Sequence, residues 1–232
     1  MKMKIFAFKN TIDEKPIFVH DAYCLRKTGK QQIFYEFRGR EMIVVKGEKN
    51  YYFRYKSYTE EYKRISKGVV HDIFQAILCK RKFLRYYKIN NDKSREYVEL
   101  SLRKYPEDEY PIRNIMDQQS ILKIDIMCFP EPDIFNITEK SKGLGIEVTV
   151  THKCTEDKIS TFYHDQNNEY LELIVPKRWK RVNNFSITPK YFYKLYRDIS
   201  NYIDNGLVLR KFREPQEARD KLLKSVEEIG AL

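Results

Sequence analysis

Glu147 is the one charged residue in the run Gly145-Ile146-Glu147-Val148-Thr149-Val150-Thr151, which ends at His152. A stretch this rich in β-branched residues reads as a strand. A carboxylate inside it gains nothing from burial unless positive charge meets it. A second run, Pro132-Asp133-Ile134-Phe135-Asn136-Ile137, carries Asp133 in a similar setting, and Thr138 to Leu144 between them contains a turn. Alternation puts Glu147, Thr149 and Thr151 on one face and Ile146, Val148 and Val150 on the other. If the turn is the three residues Ser141-Lys142-Gly143, Asp133 falls opposite Thr151 and Glu147 opposite Ile137, all on one face. A one-residue slip sends Asp133 to the other side. Two carboxylates with water and a substrate phosphate are the usual setting of Mg2+ (or Mn2+). The alternative is a pair of solvent-facing acids, each neutralised by a lysine.

The surroundings attract a polyanion. Lys and Arg number 44 against 33 Asp and Glu, a formal net charge of +11, which draws phosphate or, with less support, anionic lipid. The 18 tyrosines suit either half-buried sheet positions or stacking on unpaired bases. Lys177-Arg178-Trp179-Lys180-Arg181 sets four cations around the only tryptophan. It reads as phosphate contacts with one stacking ring, or as a solvated charge run whose indole packs inward. The expected partner is therefore nucleic acid, DNA first, with recognition by charge and shape. Oligomeric state is open, a homodimer included. The four cysteines (24, 79, 128 and 154) form no CxxC pair, which favours a reduced, intracellular protein without disulfides. No apolar run approaches membrane-spanning length. The expected location is cytoplasmic, or the nucleus or a host cell for a viral or phage chain, as the Lys/Asn/Ile/Tyr-heavy composition hints.

Three regions follow from the patterning: a β-rich stretch over 1–56, a core over 57–176 and a basic helical extension over 177–232. The first contains short strands beginning at Lys4, Gln32, Glu41 and Tyr51. Val70, Ile73, Phe74, Ile77 and Leu78 then fall on one helical stripe, and Lys80-Arg81-Lys82 with Arg85 makes the end of that helix basic. Strands are expected at Tyr97–Leu102, Ile121–Phe129 and Tyr170–Val175, with a loop at Tyr105–Pro111. Helices are expected from Thr155 to Asp165, with Ile159, Phe162 and Tyr163 inward, from Pro189 to Ile203, and from Glu214 to Ile229. This order gives an α/β (α+β) fold with a mixed sheet flanked by helices.

Pro132-Asp133, then Glu147 after 14 positions with Val148-Thr149 following, resembles the PD-(D/E)XK nuclease signature. More narrowly, Ile146-Glu147-Val148-Thr149-Val150-Thr151-His152, with Glu156-Asp157-Lys158 beyond it, is similar to the CoiA-like competence-protein branch. The resemblance spans about residues 57–176. It implies a restriction-endonuclease-like core, Mg2+-dependent hydrolysis of DNA, and Asp133 and Glu147 as metal ligands. The family's lysine would stand where this chain has Thr149, a departure that leaves Lys158 on the next helix to supply the ammonium. His152 ends the strand either as a contact beside the metal or as a capped strand-end histidine, and His71 is either a match for the branch's helix histidine or a satisfied core histidine. Asp125 and Glu61 are further acids that reach the site if their elements lie beside it. The alternative is a nuclease-like fold without activity that binds nucleic acid or a replication or recombination partner.

Overall fold

The computed structural model describes residues 4–11, 15–48, 50–57, 68–114, 121–132, 142–150, 154–182 and 187–213. Along the chain come β1 (Phe6–Phe8), β2 (Pro16–Phe18), α1 (Val19–Lys27), β3 (Phe34–Tyr35), β4 (Glu41–Lys46), β5 (Tyr51–Tyr55) and α2 (Val69–Leu78). There follow β6 (Phe83–Ile89), β7 (Arg95–Ser101), β8 (Glu107–Arg113), β9 (Ile121–Cys128), β10 (Gly143–Thr149), α3 (Glu156–His164) and β11 (Asn168–Ile174). The last are α4 (Lys177–Lys180), α5 (Pro189–Asp204) and β12 (Leu207–Lys211). The protein is thus mixed α and β, with two sheets and more strand than helix. Among the described residues no helix is long and apolar enough to cross a membrane. The helix expected over 214–229 lies outside the described residues.

Two compact units form, each from two stretches of chain: Met1–Lys80 with Pro176–Ile203, and Arg81–Val175 with Asp204–Leu232. These units cut across the boundaries read from composition. Both α2 and the basic segment after Pro176 belong with the N-terminal sheet.

The first unit holds a sheet of order β2-β1-β3-β4-β5, antiparallel throughout. In β4 the buried Met42 and Val44 alternate with more exposed neighbours, the mark of a sheet with one core face. On α5, Phe192, Leu195, Ile199 and Ile203 make the buried stripe. The Phe192 ring lies 5.4 Å from Phe6 and 5.3 Å from Phe18. Every residue of α2 is buried, including His71, Asp72 and Gln75, so the helix has no solvated face. The sequence pattern gave only a stripe. One buried acid, Glu36, accepts hydrogen bonds at 2.7 Å from both Lys4 Nζ and Tyr55 Oη, and pairs with Arg40.

The second unit is a seven-stranded mixed sheet of order β7-β6-β12-β11-β10-β9-β8. The pairs β10–β11 and β12–β6 run parallel and the others antiparallel. Helix α3 makes the crossover between β10 and β11. Three sequence expectations change here. The basic helix end is instead strand β6, where Leu84 and Tyr86 point inward and Phe83, Arg85 and Tyr87 outward. That period of two and the aromatic content outweigh the cations. The expected loop is strand β8, at the sheet edge, where one open side tolerates Pro111 and the acids. Finally, β10 has β9 and β11 as its neighbours, so β9 takes the place expected for residues 133–137.

Candidate functional site

Strand β10 lies inside the sheet and is buried on both faces, and Glu147 is 8% exposed. The parallel register runs from Gly143↔Asn168 to Thr149↔Ile174 and sets Glu147 beside Glu172. Glu172 in turn pairs with Arg210 on β12. A row of Glu147, Glu172 and Arg210 therefore crosses one face of the sheet. Arg210 Nε donates to Glu172 Oε2 at 3.2 Å, which neutralises the second acid of the row.

On the other flank, the β9–β10 ladder runs through Ile146↔Ile126 and stops. The next residue of β9 is Asp125, 1% exposed. Its carboxylate takes a backbone partner's place. Oδ2 accepts the Val148 N–H at 2.8 Å, and the Asp125 N–H lies 3.4 Å from Glu147 Oε2. Pairing with β8 skips the same residue: between Asp108↔Ile126 and Tyr110↔Ile124 there is a gap, where Glu109 has φ +48°. Local irregularities of this kind re-aim a side chain and recur beside functional sites. Here the irregularity brings Asp125 to Glu147.

Helix α3 supplies the cation. Thr155 is its extended N-cap, and Glu156 and Asp157 in the first turn suit the positive end of the dipole. Lys158 Nζ reaches Glu147 Oε1 at 2.7 Å, with side-chain exposures of 13% and 10%. One turn later Phe162 stacks on Tyr170 of β11, with centroids 4.3 Å apart and planes 10° apart. Tyr170 in turn lies across β10 at Gly145, where a Cβ would come 2.4 Å from its ring. Glycine normally weakens a strand. At this position it lets the aromatic stack seat the helix, and the helix aims Lys158. Tyr163, expected inward, is 51% exposed, because the stack uses Phe162 as the inward ring.

Cys154, just before α3, also faces the acids. Burial first, then the charge of Glu147, pushes its thiol up to about 12, with Asp125 and Glu172 adding and Lys158 opposing. Nothing in the sequence marks this cysteine except that it lacks a partner motif. Thr149 Oγ1 is buried with no hydrogen-bond partner among the described residues.

The sequence candidates therefore separate. Glu147 and Lys158 meet, Asp125 joins them, and Thr149 follows Glu147 on β10. Asp133, His152 and Glu61 lie outside the described residues. His71 belongs to the first unit, on α2. Lys177, Arg178, Lys180 and Arg181 are exposed. Trp179, however, is 3% exposed, edge-on to Phe74 at 5.9 Å and to Tyr202 at 5.4 Å. Its indole is used by the core of the first unit and is not offered to a base.

The donor set suits a hard divalent cation. Asp125 and Glu147 lie on adjacent strands, with the Asp125 N–H 3.4 Å from Glu147 Oε2 and the Asp125 carboxylate accepting the N–H of Val148. Among the described residues no cluster of three or more ligating side chains forms. Mg2+ commonly takes only one or two carboxylates and keeps its waters, so two acids suffice. The buried Thr149 hydroxyl adds a polar atom suited to a water. Comparison with family models, with curated proteins and with solved structures returned no match to this chain.

Proposed function

We propose that this chain is a metal-dependent nuclease that hydrolyses phosphodiester bonds of DNA, with a restriction-endonuclease-like core in its second unit. The observation that carries this reading is the convergence of Asp125 and Glu147 from adjacent strands, with Lys158 on Glu147. Among the described residues Asp125 is the acid that meets Glu147, and it takes the role expected of Asp133. A Mg2+ or Mn2+ ion held by this pair supplies Lewis acidity towards a phosphate oxygen and acidifies water. Lys158 orients a water beside Glu147 and offsets charge that develops on the phosphate. The ammonium comes from α3, since Thr149 stands where the resembled family carries lysine. The proposed place of action is the cytoplasm, in contact with DNA.

One observation favours a second reading. The Glu147–Lys158 ion pair, 2.7 Å apart, neutralises the carboxylate without a metal, which suits a nuclease-like fold that has lost activity and only binds nucleic acid or a replication or recombination partner. Incubation with single- and double-stranded DNA in Mn2+ or Mg2+ separates the two. The nuclease reading expects cleavage that falls by at least about 100-fold in Glu147→Gln. Salt-sensitive binding, with no cleavage in the wild type, would leave only the second reading.

A further inference from the structure

The face that carries Glu147, Glu172 and Arg210 continues past β12 onto β6 and β7. Register places Val208 beside Tyr87 and Arg210 beside Ile89, and across the hairpin Arg85 faces Glu99, Tyr87 faces Tyr97 and Ile89 faces Arg95. Helix α3 seats on β11 and β10 through its stack on Tyr170. The outer strands instead present aromatic rings to solvent: Phe83, Tyr87 and Tyr97 are 40%, 42% and 50% exposed. The Tyr87 and Tyr97 rings lie 5.1 Å apart. The Arg85 guanidinium sits 5.1 Å from the Phe83 ring. Gly206, at φ +104°, helps shape this surface, since a Cβ there would come 3.2 Å from the Tyr87 ring. Three arginines share these rows: Arg85 pairs with Glu99 at 3.1 Å and Arg210 with Glu172, and a phosphate would exchange for these carboxylate partners, while Arg95 stands across from Ile89. Tyr87 is three strands from Glu147, roughly 14 Å at ordinary strand spacing.

We propose that this outer half of the sheet is a platform for single-stranded nucleic acid that leads into the acid row. Bases stack on Tyr87 and Tyr97, while Arg85, Arg95 and Arg210 meet phosphates. Aromatic faces stack with any base, and arginines around them track the backbone, so recognition is tolerant of sequence. A duplex keeps its base faces stacked inside the helix and gains only the phosphate contacts. The proposal rests on the nuclease reading for what the strand does once bound, but the platform itself is testable without catalysis.

The test is fluorescence-anisotropy binding of a labelled single-stranded deoxyoligonucleotide to the full chain in EDTA, with a duplex of the same sequence alongside. Tyr87→Ala with Tyr97→Ala weakens single-strand binding by about 10-fold or more, with a smaller loss for the duplex. Tyr87→Phe with Tyr97→Phe retains the affinity, because the ring does the stacking, and shows that a loss in the alanine variant is not a general surface effect. Unchanged single-strand affinity in the alanine variant overturns the platform, even where Glu147→Gln abolishes cleavage. So does a change confined to self-association in sedimentation velocity, which would assign the face to a second copy of the chain. Weakened single-strand binding with no metal-dependent cleavage in the wild type keeps the platform and removes the nuclease reading.

Discussion

Glu36 and Glu147 are both buried acids, and they differ in the charges that meet them. Glu36 is met by two cations and a phenol. Burial works to raise its carboxyl, but Lys4 and Arg40 override that and hold it at about 2 against an ordinary 4.5. Lys4 is held above its ordinary value because Glu36 and Asp72 outweigh its own burial. Glu147, by contrast, meets Lys158 and lies beside Asp125, while the neighbouring Glu172 is held by Arg210. Because the Glu36 carboxyl is depressed on folding, its stabilisation is complete above pH 4.5 and is lost as pH falls towards about 2. Glu36→Gln leaves two cations without their charge partner and should cost about 3–5 kcal/mol at pH 7. Urea unfolding of both proteins at pH 7 and pH 3 checks this. The gap between them should narrow on acidification, and a gap that stays constant would place the stabilisation elsewhere.

At the level of elements, the device that aims Lys158 runs through a glycine, a stacked pair of rings and a helix. Gly145→Ala puts a methyl 2.4 Å from the Tyr170 ring, and the ring is pinned by Phe162 on one side and by a 2.6 Å hydrogen bond to Asp165 on the other. The substitution should cost about 1–3 kcal/mol, read as a lower midpoint in thermal unfolding. A neutral result would show that Tyr170 is free to swing aside. The same elements show how far sequence reading reaches. Strands β4 and β5 and helices α3 and α5 are legible because alternation or a helical stripe marks a buried face, and β9 and β11 because each is a short apolar run. Helix α1 is not, since Val19–Lys27 buries only Val19 and Ala22. Strand β8 carries acids and a proline that an edge tolerates, and β12 is five residues directly after a helix. Neither has a pattern that could be separated from loop. The expected hairpin partner, residues 133–137, lies outside the described residues, and among those described β10 pairs with β9 from further back in the sequence.

Across the whole molecule, the candidate site was half visible before any coordinates. Glu147 stands out as an acid in an apolar strand, and Lys158 follows from the helix after it. Asp125 shows the same signature, an acid between Ile124 and Ile126, but its meeting with Glu147 depends on long-range pairing that no local pattern marks. On the proposed reading, the net charge of +11 draws a polyanion, and a cation at the two carboxylates lets phosphate approach. The account therefore depends on Asp125 and Glu147 acting as one cation site. Calorimetric titration of Mn2+ into the full chain tests this most directly, with Asp125→Asn and Glu147→Gln as the comparisons. It predicts one ion per chain in the wild type and loss of that binding in each variant, both still folded by circular dichroism. A wild type that takes no ion, or binding that survives both substitutions, would contradict it.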